Sequence, residues 1–313
     1  MVLGNGNPSE SLTLGGVFKW TKSLIFGLLK DVDYVVFPQP NLLVFATPLI
    51  SAVRRLRGGR FETVIYLSGH PSERRGIRPL IENILLHWLV HTCRMVWNAD
   101  TQLQSWAASI NKASYFIPLP IDSNLYSPDL GRREATRKKL SLCDLVVLGI
   151  IGPFEPLYNG PGLLRLLKFV DFFPPDCRFL VVGYCPEKYR SADNRFIYTG
   201  RVSETEYVDL LRAMDVLLVP RVTPTFGAQY KVLQAMSTGT LVVQTPYTSL
   251  PFGAADGREL FVAKVEEFPQ VVNKILSGRY DLDRMRWRAR ELIRSAYSFE
   301  VVRQNLLMTL PTR

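Results

Sequence analysis

Histidine and cysteine are scarce in this chain, three of the first and four of the second among 313 residues. Cys93, Cys143, Cys177 and Cys185 form neither a Cys-x-x-Cys pair nor a spacing that metal ligands use. This argues against a thiolate zinc site and points to reduced thiols in a cytoplasmic protein. His87 and His91 lie one turn apart in an apolar helical run. With no third ligand at hand they read as core or interface residues, and we expect no metal and no cofactor. Long apolar runs are missing too. Val17 to Leu29 falls short of the roughly 20 residues that cross a bilayer and is broken by Lys19 and Lys22, so it can at most lie in an interface. Residues 1 to 14 lack the basic segment of a secretory leader, and no internal repeat, low-complexity tract or Walker motif occurs.

What is present describes an ordinary folded protein. Hydrophobic residues make up 47% and charged residues 21%, which argues against extensive disorder, and the length allows two separate cores. Lys and Arg outnumber Asp and Glu by 38 to 28, a net charge of +10 that suits an anionic partner: a nucleotide diphosphate, a phospholipid surface or nucleic acid. The excess is concentrated early, since residues 1 to 140 hold 17 Lys and Arg against 10 Asp and Glu. A basic, aliphatic amino-terminal half can rest peripherally on an anionic membrane; equally, the charge can belong to a solvated face. The same two readings apply to the cluster of Arg54, Arg55, Arg57 and Arg60. Nucleic acid is not the expected partner, because no aromatic-basic recognition motif accompanies the charge.

Strand-like and helix-like patterns alternate along the chain, the mark of an α/β fold on parallel sheets. The segment that organises the rest runs from Ala213 to Pro246. Asp215 to Val219 is a short apolar run closed by Pro220, which has no N–H for a ladder. Gln229 to Met236 has helical spacing, with Val232, Leu233 and Met236 facing inward, and Gly239 predicts a left-handed cap before the strand Leu241 to Val243. The loop between, Thr223 to Ala228, thus lies at the carboxyl end of a strand and the amino end of a helix, where free N–H groups and the helix dipole favour a phosphate. Thr225, Phe226, Gly227, Ala228, Gln229 and Lys231 are its candidate contacts. A second candidate is His70, in Ser68-Gly69-His70-Pro71 directly after the strand Glu62 to Leu67. An imidazole at that edge of a parallel sheet can orient or deprotonate a hydroxyl near neutral pH.

Pro220, Gly227, the Lys-Val-Leu-x-Ala-Met run of residues 231 to 236, Gly239 and Val242-Val243 together resemble the nucleotide-sugar loop of GT-B glycosyltransferases, particularly the retaining family-4-like group. Other segments share the likeness. Ile117-Pro118 to Asp122, followed by Tyr126 and Pro128, resembles the segment that ends the first domain in that group; Gly183-Tyr184-Cys185-Pro186 and Gly200-Arg201-Val202-Ser203 resemble its later turns. Gly15-Gly16, ahead of the first helical run, resembles its acceptor-side glycine loop. The likeness covers nearly the whole chain. It implies two Rossmann-like domains facing across a cleft: a short acceptor domain over residues 1–135, a nucleotide-sugar domain over 136–298, and a tail, 299–313, packing back on the first.

The resemblance also implies a function, transfer of a sugar from a nucleoside diphosphate sugar to a hydroxyl acceptor on a lipid, glycan or protein, with retention of configuration and without a metal. His70 would face the acceptor as the catalytic residue, and Gly15 and Gly16 would bind the acceptor. Gln234 stands where the group has a Glu that holds the donor ribose, and Phe226 where many members have another Glu earlier in the loop. Gly152-Pro153 and Asn159-Gly160 stand where Gly-Arg and Lys-Gly bind the diphosphate, so both cations are missing, and Arg201 and Lys231 are the candidates to replace them. These departures keep two alternatives open: a GT-B-fold binding or regulatory protein without turnover, and a GT-B-fold epimerase. Donor base, sugar and acceptor depend on pocket shape and are not encoded in any motif.

Overall fold

The computed structural model describes residues 34–38, 62–67, 77–156, 158–224 and 227–310, together with positions 52, 55, 56 and 58. The chain divides into two compact units, residues 1–118 and 119–313.

In the first unit, strands β1 (Tyr34–Pro38), β2 (Glu62–Leu67), β3 (Met95–Asn98) and β4 (Ser114–Phe116) pair in parallel in that order. Helix α1 (Ile77–Thr92) connects β2 to β3, and α2 (Thr101–Ala108) connects β3 to β4. α2 starts where it does because Asp100 accepts from the Gln102 and Leu103 backbone N–H groups at 2.7 and 3.2 Å, satisfying donors that the helix itself leaves open. The core is made by Ile65, Leu67, Leu86, Leu89, Val90 and Leu103, among others. Those α1 residues take the inward positions, so His87 and His91 are exposed and not part of the core. Of the early arginine cluster only Arg55 is described, and it is exposed.

The second unit holds six parallel strands: β5 (Val146–Ile151), β6 (Cys177–Val182), β7 (Phe196–Gly200), β8 (Val216–Val219), β9 (Leu241–Gln244) and β10 (Phe261–Val262). Helices α3 (Leu130–Lys139), α4 (Gly160–Leu167), α5 (Glu204–Ala213), α6 (Tyr230–Thr238), α7 (Phe268–Leu276), α8 (Leu282–Ala296) and α9 (Phe299–Thr309) accompany them. The spatial order is β10-β9-β8-β5-β6-β7. The chain winds outward from β5 to β7, returns to the middle at β8 and winds the other way. That is the doubly wound Rossmann order, and loops leaving β5 and β8 diverge at its switch point, where open α/β sheets bind ligands.

Alternation along the strands builds two layers. Val147, Ile151, Leu217, Val219 and Val242 enter one core, while Leu148, Ile150, Val216, Leu218 and Val243 enter the other. Burying a side chain of this size is worth ~1.5–3 kcal/mol, and a one-residue slip would exchange the two sets, so register is firmly held.

α6 ends at Gly239 with φ +79°, the left-handed cap expected there. α4 approaches the end of β8 so closely that only glycine fits, since a Cβ on Gly162 would lie 1.5 Å from the Pro220 carbonyl oxygen. At the opposite, amino-terminal edge of the sheet, the Asp215 carboxylate accepts from Arg133 at 2.5 Å, from Arg137, and from the Val147 backbone N–H at 2.8 Å. This fixes α3 to the two central strands. Among the described residues, no helix is long and apolar enough to cross a membrane.

Candidate functional site

At the carboxyl edge of the second sheet, β5 and β6 run out into Gly152 and Gly183, and β7 ends on Gly200. Gly183 has φ +105° and donates its N–H to the Gly200 carbonyl at 3.0 Å, a backbone course that residues with a Cβ rarely follow. Without side chains here, Gly152 and Gly183 form part of the wall of an open cavity of about 870 Å³. That volume lies in the range of small-molecule sites. Tyr126, Tyr207 and Gln234 line it from the buried side, and Arg201 and Glu204 are exposed where it opens to solvent.

Of the expected donor contacts, Gly152, Arg201 and Gln234 border this cavity. Arg201 makes no hydrogen bond or ion pair within the described residues, leaving its guanidinium available on the rim. Gln234 is only 6% exposed, and its Oε1 accepts from the Tyr207 hydroxyl at 2.8 Å. Tyr126 lies on the same wall, and burial pushes its pKa up to about 12. The two tyrosine rings meet edge to face with centroids 6.5 Å apart.

Asn159, Gly227, Ala228, Gln229 and Lys231 lie off the cavity wall. Asn159 is 2% exposed and braces the loop after β5, its Nδ2 donating to the Ile151 carbonyl at 2.8 Å. Gly227 has φ +79°, which glycine adopts without strain. Ala228 packs against the sheet core, and Gln229 donates from Nε2 to the Thr248 hydroxyl at 3.4 Å.

Lys231, in the first turn of α6, reaches across the switch point. Its Nζ donates to the Ile151 and Gly152 carbonyls at 2.6 and 2.5 Å, and no carboxylate pairs with it among the described residues. Burial of the ammonium brings its pKa down to about 7, with the charge of Arg221 adding to the effect. Arg221 itself, the residue after Pro220, is 8% exposed; its Nε donates to the Thr223 carbonyl at 2.9 Å and its guanidinium lies 5.4 Å from the Tyr158 ring centre. Sequence reasoning passed over Arg221, Tyr126 and Tyr207. A cation directly behind the strand-ending Pro220 was the available signal for the first; nothing local marked the tyrosines.

The residue ahead of α6, Gln229, does not cap it with its side chain, although the neighbouring α5 is closed by a full Ser203–Glu206 capping box. Lys231 in the first turn of α6 and Arg221 just after β8 thus bring two cations to the switch point. This arrangement attracts an anion carrying more than one charge. His70, Gly15, Gly16, Thr225 and Phe226 lie outside the described residues. Among the described residues no group of three or more His, Cys, Asp or Glu is arranged to hold a metal ion.

Residues 146–278 match the family model of glycosyl transferases group 1. A segment covering 44% of this chain is 28% identical to D-inositol 3-phosphate glycosyltransferase from Corynebacterium efficiens and spans 35%, about a third, of that relative's length. Among solved structures, Anabaena Alr3699/HepE in complex with UDP superposes with a TM-score of 0.77 at 15% identity, over 92% of this chain and 80% of that one. Sucrose-phosphate synthase from Thermosynechococcus elongatus superposes with a TM-score of 0.70 at 15% identity, over 94% of this chain and 76% of that one. The fold is the α/β GT-B fold of glycosyltransferases, and residues 146–278 form a glycosyl transferases group 1 domain.

Proposed function

We propose that this chain is a glycosyltransferase that binds a nucleoside diphosphate sugar at the switch point of its second unit and transfers the sugar to a hydroxyl acceptor, with retention of anomeric configuration. The observation that carries this reading is Lys231, part-buried in the first turn of α6 with no carboxylate partner among the described residues and with the Arg221 cation close enough to lower its pKa further. A diphosphate supplies the negative charge that Lys231 does not find in a carboxylate among the described residues. As the sugar leaves, charge builds on that diphosphate, and cations held in a partly dry site stabilise it more than water does. The nucleoside then extends over Gly152 and Gly183 into the cavity, where the absent side chains permit close backbone approach. Arg201 supplies a further cation from the rim.

Uridine is the first base to test, because Alr3699/HepE is a structural neighbour in complex with UDP and with UDP-glucose. The same proposal gives His70 to the acceptor hydroxyl and Gly15 and Gly16 to acceptor binding, with the protein acting in the cytoplasm and its basic amino-terminal half resting on an anionic membrane. One observation favours a second reading, a nucleotide binder without turnover: the Gln234 Oε1 on the wall of the cavity already accepts from the Tyr207 hydroxyl.

Calorimetric titration with UDP, GDP, ADP and their sugar conjugates at moderate salt tests the donor site. Saturable binding of one of them, lost in Lys231→Ala, supports it; binding without sugar release in the presence of lipid, glycan and protein acceptors selects the second reading. If none binds, the site assignment is wrong.

A further inference from the structure

We infer that Glu204 is the residue that recognises the sugar hydroxyls of the bound nucleotide, a proposal that rests on the donor site described above. A ribose presents two adjacent hydroxyls, both donors, and a carboxylate with two acceptor oxygens is the side chain best matched to them. Gln234 is neutral, only 6% exposed, and its one side-chain acceptor oxygen already accepts from the Tyr207 hydroxyl at 2.8 Å, so it is the poorer match.

Two carboxylates line the cavity, Glu155 and Glu204. Glu155 belongs to the loop after β5, whose Gly152 carbonyl is held by Lys231, and that is the phosphate end of the site. Glu204 lies elsewhere. It is the first residue of α5, three before Tyr207, so the two share a helix face, and Tyr207 is the side chain that reaches Gln234. Glu204, Tyr126, Tyr207 and Gln234 line the same cavity.

Glu204 is also uncommitted. Its neighbour Glu206 is consumed by the capping box with Ser203, whereas Glu204 makes no hydrogen bond or ion pair among the described residues. An exposed carboxylate can stay hydrated until a ligand arrives, so leaving it without a protein partner carries no burial cost. Tyr126, buried against Gln234 on the same wall, offers its hydroxyl as the second contact.

The test compares UDP with 2′,3′-dideoxy-UDP on wild type and Glu204→Gln, an exposed substitution of equal size. The wild type is expected to bind UDP more tightly than the dideoxy nucleotide, and Glu204→Gln to bind UDP about 10- to 100-fold more weakly while binding the dideoxy nucleotide as the wild type does. Unchanged UDP affinity in Glu204→Gln, or an equal loss for both nucleotides, overturns the assignment while leaving the donor site standing. A wild type that binds none of UDP, GDP or ADP overturns both, and is recognised before any variant is made.

Discussion

A part-buried lysine with no carboxylate partner among the described residues should announce itself in the pH dependence of stability. Lys231 is brought down from its ordinary value of 10.5 to about 7. Over that gap, at ~1.4 kcal/mol for each pH unit, carrying the buried charge costs the native state up to about 5 kcal/mol relative to the unfolded chain. Below pH 7 both states hold the proton and the cost is paid in full. From pH 7 towards ~10.4 the native state has released the proton and the unfolded chain still holds it, so stability rises with pH; above that the effect is complete. Urea unfolding of the wild type and Lys231→Met between pH 6 and 10 isolates this group, because every other titration is common to both proteins. The difference should move in favour of the wild type by up to ~1.4 kcal/mol per unit from about pH 7 upward. The same lysine gives a binding signature: a bound diphosphate restores the proton, so UDP affinity falls towards 10-fold per unit above pH 7, with proton uptake visible as a buffer-dependent heat. The nucleotide's terminal phosphate, with a pKa of about 6, is already ionised there and contributes little. A pH-independent difference between the two proteins would refute the burial of the charge.

Gly162→Ala forces a methyl against the Pro220 carbonyl, a backbone atom 1.5 Å from the new Cβ, and should cost about 3 kcal/mol in urea unfolding, whereas wild-type stability would show that α4 can slide. Asp215→Asn leaves Arg133 and Arg137 without their shared carboxylate; because these side chains are 12–27% exposed the expected loss is about 2–3 kcal/mol, short of a fully buried pair, and a loss under ~1 kcal/mol would mean the carbonyl contacts alone hold α3. Arg221→Gln should weaken UDP binding about 10- to 100-fold, while Arg165→Gln, which breaks an exposed pair with Glu266 and does not line the cavity, should leave it unchanged.

Elements that depend on local pattern were legible in the sequence. The left-handed Gly239 stands where glycine chemistry puts it, and β8 and α6 begin within one residue of the expected starts. What the pattern cannot carry is which distant groups meet. Lys231 donates to a carbonyl 80 residues earlier, and Arg133 reaches a carboxylate 82 residues later. In sequence a lysine at such a position reads the same whether its ammonium is solvated or sealed, and only the return of β8 beside β5 decides it. Asn159 shows another case: its position suggested a ligand contact, and the fold uses its Nδ2 to brace the Ile151 carbonyl while its buried Oδ1 has no partner among the described residues. His87 and His91 fell outside the core because α1 has apolar residues enough to fill its inner face without them.

The field at a phosphate depends on where the cations sit, not on which loop carries them. In the group this chain resembles, cations follow β5; here the loop after β5 reads Gly152-Pro153, and the cations Arg221 and Lys231 arrive from the β8 side of the same switch point. If the two arrangements are equivalent, a cation restored to the β5 loop should compensate for one removed from α6. Pro153, on the cavity wall and partly exposed, has room for a longer side chain. Lys231→Met should therefore lose UDP affinity by about 10-fold or more, and adding Pro153→Arg should recover a substantial part of that loss, since one charge-assisted hydrogen bond replaces another. The double variant should also lose the pH dependence between about 7 and 10, because an arginine does not titrate there. Recovery of affinity with the pH dependence intact would mean that another group, and not Lys231, is the one that takes up the proton.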